Sequence, residues 1–214
     1  GMSDYFDLAL TGDIYSKGSF GLKTSMNYVK RYRYDGDFDI GYSRFKEGEK
    51  EFPDFALRED FFIRWTHTQD PKRNPGVRFS SNVNIVTSDY NKLNSYNTTD
   101  YLSNTFQSNV AWSKSWKRSN FSTHIRHSQN TLQKTVDVSS PEMAYSLNRF
   151  YPSTWFKKET SVKTHWYDKI GISYSANAKN TIATFDSLLF KESSLDKLSY
   201  GMKHSAPIST SIST

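Results

Sequence analysis

The chain contains no cysteine. That excludes a disulfide framework, a thiolate metal site and a cysteine nucleophile. It also contains no run approaching the ~18 consecutive apolar residues of a membrane-spanning helix. Like charges form no block of the kind that marks a nucleic-acid-binding arm, although 28 Lys+Arg against 22 Asp+Glu leave a net charge of +6 that favours an anionic partner. Hydrophobic residues make up 36% of the 214 positions, below the ~45–50% of an ordinary globular domain, a baseline that also counts Gly. Aromatics do not share that shortage, with 14 Tyr, 15 Phe and 5 Trp. A chain poor in aliphatics but rich in aromatics is not a disordered one; it fits a protein that spends its apolar residues on one thin layer.

Enzymatic signatures are missing too. His124 and His127 are three residues apart in an alternating run, so they face opposite ways, and His67, His165 and His204 are isolated. No Ser–His–Asp arrangement, paired-carboxylate constellation, phosphate loop or dinucleotide fingerprint stands out. The expectation is a non-enzyme with no cofactor, no metal and no nucleic-acid partner.

What is present is alternation. The stretch from Phe61 to Ser88, FFIRWTHTQDPKRNPGVRFSSNVNIVTS, has Phe61, Ile63 and Trp65 pointing one way and Phe62, Arg64, Thr66 and Thr68 the other. After a turn rich in Pro, Asp, Asn and Gly, Val77, Phe79, Val83 and Ile85 resume against Arg78, Ser80, Asn82 and Asn84. Period-2 patterning on both sides of a short turn predicts a hairpin. Its polar residues are Ser, Thr, Asn and Arg rather than Glu and Lys, as if one side lined something wet. The same rhythm predicts a first strand from Tyr5 to Tyr15, a turn at Ser16–Ser19, a hairpin turn at Asp35-Gly36 and a long charged connection from Lys46 to Asp60. A second polar connection is expected from Asp89 to Leu102, and a tight turn at Lys117–Ser119. Further expectations are a turn near Gln129–Lys134, a bulge or bend at Pro141, and a last hairpin region containing Val162, Trp166, Ile170, Ile172 and Tyr174. Asp186 to Leu198 has no sustained helical period.

The predicted fold is all-β: an antiparallel up-and-down meander of about ten amphipathic strands, each near the ~9–11 residues that a tilted strand needs to cross a bilayer. Tight turns alternating with longer polar loops fit a barrel wall of an outer membrane, with Ser16–Ser19 as an imperfection. Tyr28, Tyr32, Tyr34, Trp112, Trp116, Phe150, Tyr151, Trp155 and Phe156 are expected at strand ends, where aromatic girdles sit. Candidate lipid-facing aromatics are Trp65, Phe79, Trp112 and Trp166; candidate wet-face contacts to anionic lipid are Lys23, Arg64, Arg78, Arg126 and Lys163. Two other readings share the alternation: a soluble β-sandwich that binds carbohydrate, and a generic outer-membrane porin or adhesin barrel.

Four stretches carry a family resemblance: RWTHTQDPKRNPGVRFSSNVNIVTSDY, YLSNTFQSNVAWSKSW, DYFDLALTGDIYSKGSFGLKTSMNYVKRYRYDGDFDIGYSRF and YGMKHSAPISTS. They resemble the lipopolysaccharide-assembly outer-membrane LptD family, formerly the organic solvent tolerance (OstA) family, in a form nearest that of Bacteroidetes-type bacteria. The resemblance implies an outer-membrane location in a Gram-negative cell, with residues 1–214 as one segment, the N-terminal portion of a large transmembrane barrel. Gly1-Met2 reads as a tag-cleavage scar. It further implies transport of lipopolysaccharide to the outer leaflet, through a lateral opening between first and last strands. Its partners would be outer-membrane lipid, a plug lipoprotein in the lumen and periplasmic bridge proteins. Two departures stand out: no proline precedes Pro53, where some members weaken the seam with prolines, and there is no cysteine for a barrel–jellyroll disulfide. An isolated segment of this kind is expected to self-associate through its open strand edges.

Overall fold

The computed structural model describes residues 4–48, 51–52, 55–87, 104–156, 165–185 and 196–210. Its strands are β1 (Phe6–Ile14), β2 (Phe20–Lys30), β3 (Tyr34–Glu47), β4 (Ala56–Gln69), β5 (Val77–Val86), β6 (Thr105–Ser115), β7 (Ser119–Asn130), β8 (Thr135–Phe150), β9 (Gly171–Phe185), β10 (Ser199–Ser205) and the two-residue β11 (Ile208–Ser209). Each of the first ten pairs antiparallel with its sequence neighbours, and β11 adds to β9 beyond the end of β10. The meander is therefore as predicted. The sheet is not closed: among the described residues β1 pairs only with β2, and β10 only with β9.

Local chemistry explains most of the boundaries. The β6–β7 turn at residues 116–118 closes with Trp116 N–H donating to the Ser119 carbonyl at 2.7 Å. The β2–β3 turn is not at Asp35-Gly36. It lies three residues earlier, at residues 31–33, with Tyr32 in the left-handed region at φ 60° and Arg33 N–H donating to the Lys30 carbonyl at 2.9 Å. Gly36 sits inside β3 because the Tyr28 ring lies across it; a Cβ there would collide with Tyr28 and with the Thr66 carbonyl.

The charged stretch from Lys46 to Asp60 is connection only over residues 48–55; both of its ends belong to strands. β3 runs to Glu47 and β4 starts at Ala56, and their charges pair across the ladder: Arg44 with Glu59 at 3.4 Å and Arg58 with Glu47 at 3.2 Å. Pro141 does produce an irregularity. The β8 register shifts between Ser139 and Glu142, where a proline has no N–H to give the ladder. The expected Asp89–Leu102 connection lies outside the described residues.

Connections sort into two ends. Residues 31–33 and 116–118 turn tightly at one end, where residues 70–76 also connect; at the other, residues 48–55 make a connection of similar length to 70–76, and residues 87–104 and 186–198 longer ones. The asymmetry has three exceptions. The short turns 15–19 and 131–134 lie at the long-connection end, and the longest connection of all, residues 151–170, lies at the short-turn end.

There is little core. Phe62, Val86 and Phe106 form a buried cluster, whereas Leu10 is 69% and Ile14 90% exposed. A soluble sandwich would bury such residues against a second layer. The described residues make one sheet, and most apolar side chains remain on its surface.

Candidate functional site: two faces of one sheet

Directly opposed residues in an antiparallel ladder point to the same face, so the register assembles each face row by row. One row crosses all ten strands: Asp7, Asn27, Asp37, Thr66, Asn82, Asn109, Arg126, Ser139, Thr181 and Ser199. No apolar side chain interrupts it. One residue away along each strand, the row Leu8, Met26, Phe38, Trp65 and Val83 lies on the other face with no polar side chain apart from the indole N–H.

The register puts Lys23, Arg64, Arg78 and Arg126 all on the polar face, opposite Gly41, Asn84, Ser113 and Asn109 respectively. Lys163 lies outside the described residues. The four cations do not form one patch. Lys23 and Arg64 both lie over the Phe62 ring, with Nζ 5.9 Å and the guanidinium carbon 5.5 Å from its centroid, each within cation–π range. Phe62 is the one large apolar side chain that β4 turns to this face, and it is 4% exposed because its ring fills the slot over Gly41, where a Cβ would collide with it. Arg78 is exposed opposite Ser113.

Arg126 carries its own counter-charge. Its guanidinium meets Glu142 at 3.0 Å, and the same carboxylate reaches Lys179 at 3.8 Å. The β8 bulge makes this possible by bringing Glu142 opposite His124, so that it slants toward Arg126 on the neighbouring strand. Beside it lies an open groove of ≈ 400 Å³ lined by Asn82, Asn109, Arg126, Asp137 and Ser139 among others. Here β5 and β6 part after Asn82 and Asn109, and the Ser108 hydroxyl stands in for the ladder, accepting from Asn84 N–H at 2.9 Å and donating to the Asn84 carbonyl at 3.1 Å. Its side chains are all of polar type and close to charge-balanced, although much of the lining they expose is carbon. That suits hydroxyl- and amide-bearing groups better than a dense anion.

The apolar face has its own order. At the short-turn end, rings meet strand by strand: Tyr28 to Tyr34 at 6.1 Å, Tyr34 to His67 at 5.7 Å, His67 to Phe79 at 5.2 Å and, further on, Trp112 to Phe121 at 5.9 Å. The belt continues on β8–β10 as Tyr145, Tyr174 and His204. A hydrogen-bonded chain fixes its β2–β4 portion. Trp65 Nε1 donates to the Tyr28 hydroxyl at 2.8 Å, and that hydroxyl is hydrogen-bonded to His67 Nδ1 at 2.8 Å. Nothing in the local sequence announced this set, because it depends on register across three strands. At the other end of the same face Phe20 meets Tyr42 at 6.1 Å.

Trp65, Phe79 and Trp112 thus share the apolar face. Trp166 does not belong to a strand. It opens a short 3-10 turn, Trp166–Lys169, in the β8–β9 connection, where the sequence pattern had placed a hairpin strand. Asp168 reaches back to the His165 backbone N–H at 2.7 Å and stabilises that turn against an extended continuation. Trp155 likewise sits in a 3-10 turn, Pro152–Trp155. Among the described residues no group of three or more His, Asp or Glu is arranged to hold a metal.

A family model described as LptD protein matches the chain over residues 1–214. A search of curated proteins finds no match.

Proposed function

The chain belongs to the LptD protein family, and on that premise we propose that these strands form part of the wall of an outer-membrane barrel that moves lipopolysaccharide to the outer leaflet. The apolar face meets lipid acyl chains, and the polar face lines the path. The observation that carries this reading is the pair of adjacent rows, one wholly polar across ten strands and one apolar, on strands of the right length. From Phe20 to Tyr28 is eight residues, ~27 Å along the strand and ~20 Å along the normal at a tilt of ~40°, close to the ~25 Å apolar band of such barrels. Aromatic rings at both ends of that span match the girdles expected at the two interfaces.

On the polar face, Lys23, Arg64 and Arg78 would contact the phosphorylated part of the lipid through charge-assisted hydrogen bonds. Arg126, already paired with Glu142, would contribute mainly through the polar groove beside it. Trp65, Phe79 and Trp112 would face lipid. The short-turn end would lie toward the periplasm, and β1, with β2 alone beside it, would form one side of the opening through which lipid leaves. A plug lipoprotein would occupy the space in front of the polar face, and periplasmic bridge proteins would deliver the substrate.

Photo-crosslinking side chains at Arg64, Arg78 and Arg126 in the full-length protein test this. Capture of lipopolysaccharide is expected at all three. Capture at none of them, or equal capture from Ile63 and Trp65 on the other face, would sink the transport path.

A further inference from the structure

The longest connection at the short-turn end breaks the expected pattern of tight turns there, and its composition suggests why. Residues 151–170 carry Trp155, Phe156, Trp166 and Tyr167, which are 67%, 85%, 75% and 45% exposed. These rings are not on loose chain. Thr154 is tied to the Tyr151 carbonyl through both its N–H (3.0 Å) and its hydroxyl (2.7 Å), and Phe156 N–H donates to Ser153. The second turn is held by the reciprocal His165–Asp168 bonds, and the two turns lie against each other. His165 stacks on Tyr167 at 5.0 Å and 7°.

The cluster is also joined to the apolar face. Trp155 stacks on Phe150 at 5.4 Å and 15°, and Phe150 pairs with Ile172. Ile172 alternates with Tyr174 and so lies on the side that carries the aromatic belt. Exposed Trp and Tyr with ordered backbones, at the edge of an apolar band and continuous with it, have the chemistry of the headgroup layer, where the rings are buried and the indole N–H or phenol O–H stays wet.

We propose that the two 3-10 turns at the ends of the β8–β9 connection form a membrane-interface anchor, in which Trp155, Phe156, Trp166 and Tyr167 insert into the headgroup layer of the leaflet at the short-turn end. The inference rests on the wall reading above, and goes beyond it by assigning a lipid-binding role to a segment outside the strands. The occupant is lipid rather than protein because the rings extend, through Phe150, the surface that the wall reading gives to acyl chains.

The absence of cysteine from this chain makes a direct test possible. Trp155→Cys, Trp166→Cys and Ser153→Cys, the last leaving every ring in place, are introduced singly into full-length protein otherwise free of cysteine. Each is labelled with a fluorophore and reconstituted in phospholipid nanodiscs. Ile63→Cys serves as the mid-band reference. Lipid spin-labelled at the headgroup is expected to quench the connection labels roughly twofold or more, and lipid labelled deep in the chain much less, since interfacial groups sit only ~5–10 Å into the boundary. The deep label should instead quench Ile63→Cys. Quenching of the connection by aqueous iodide without lipid quenching would overturn the anchor and leave a solvated loop. Protection from both would overturn it in favour of a protein partner. If Ile63→Cys is also untouched by either lipid, the wall reading has failed and the anchor with it.

Discussion

Ile63 and Arg64 are neighbours in β4, yet they lie on opposite faces of the sheet, in rows of opposite character. The row through Ile63 runs Leu10, Thr24, Ile40, Ile63 and Ile85; the row through Arg64 runs Ala9, Ser25, Asp39, Arg64 and Asn84. In a globular domain one of these rows would be core, packed to the density of an organic crystal. Here Ile40 is 39% and Leu10 69% exposed. The contrast teaches that the fold is held by its ladder and by what surrounds the sheet. Buried contacts between layers contribute little. Phe62 is the exception that crosses the divide, an apolar ring on the polar face, accommodated by Gly41 and capped by two cations.

That exception should give the largest effect. Phe62→Ala empties the slot over Gly41 and exposes Val86 and Phe106, and is expected to cost ~3–5 kcal/mol, as large-to-small substitutions at buried aromatics do. Denaturant titration of the protein in micelles would read it as a lowered midpoint with an unchanged slope. The reverse trespass comes next. Ile63→Arg puts a charge at the middle of the apolar face and should cost ~2–4 kcal/mol in a bilayer, while Asn82→Arg on the polar face stays within about ±0.5 kcal/mol. Equal penalties in reversible folding into liposomes would erase the distinction between the faces.

Smaller effects sharpen the picture within each face. Tyr28→Phe deprives Trp65 Nε1 and His67 Nδ1 of their shared partner, for an expected loss of ~1–2 kcal/mol. A double-mutant cycle with Trp65→Phe should return a coupling of similar sign; additivity would mean the bonds contribute nothing together. Smallest of all, Glu142→Gln should shift stability by less than ~1 kcal/mol, since its half-buried carboxylate pairs with two exposed cations and such ion pairs contribute little. Its consequence is electrostatic: the groove gains positive character from Arg126 and Lys179, and lipopolysaccharide crosslinked from Asn109 should increase.

Much of this was legible in the chain, because alternation has a fixed consequence. A period of two puts Trp65 and Phe79 on one side and Arg64 and Arg78 on the other whatever the tertiary structure does. Pro141 announced its bulge for an equally local reason, the missing N–H. What failed were readings that depend on partners far away in sequence. Asp35-Gly36 has the residues of a hairpin turn, but the glycine is there to pass beneath Tyr28, which only the β2–β3 register reveals. The ends of the Lys46–Asp60 stretch read as charged loop because their ion pairs lie across the ladder; residues 48–55 between them are the connection. Phe62 was assigned to the polar face without any sign that Gly41 would bury it. Arg126 lies on the polar face as its parity requires, but its ion pair with Glu142 was not legible, because the bulge that delivers Glu142 shifts the pairing by a residue. Trp166 fitted the alternation but belongs to a turn closed by Asp168.

The central claim, that adjacent residues of the same strands meet lipid and water alternately, is tested most directly by labelling Phe61 to Thr68 one position at a time in the full-length protein in nanodiscs. Quenching by chain-labelled lipid should peak at Phe61, Ile63 and Trp65, and accessibility to an aqueous quencher at Arg64, Thr66 and Thr68, in opposite phase with a period of two. Loss of the lipid-quenching oscillation, with the odd-numbered positions shielded from both reagents, would mean that a second protein layer covers the apolar face and would contradict the account.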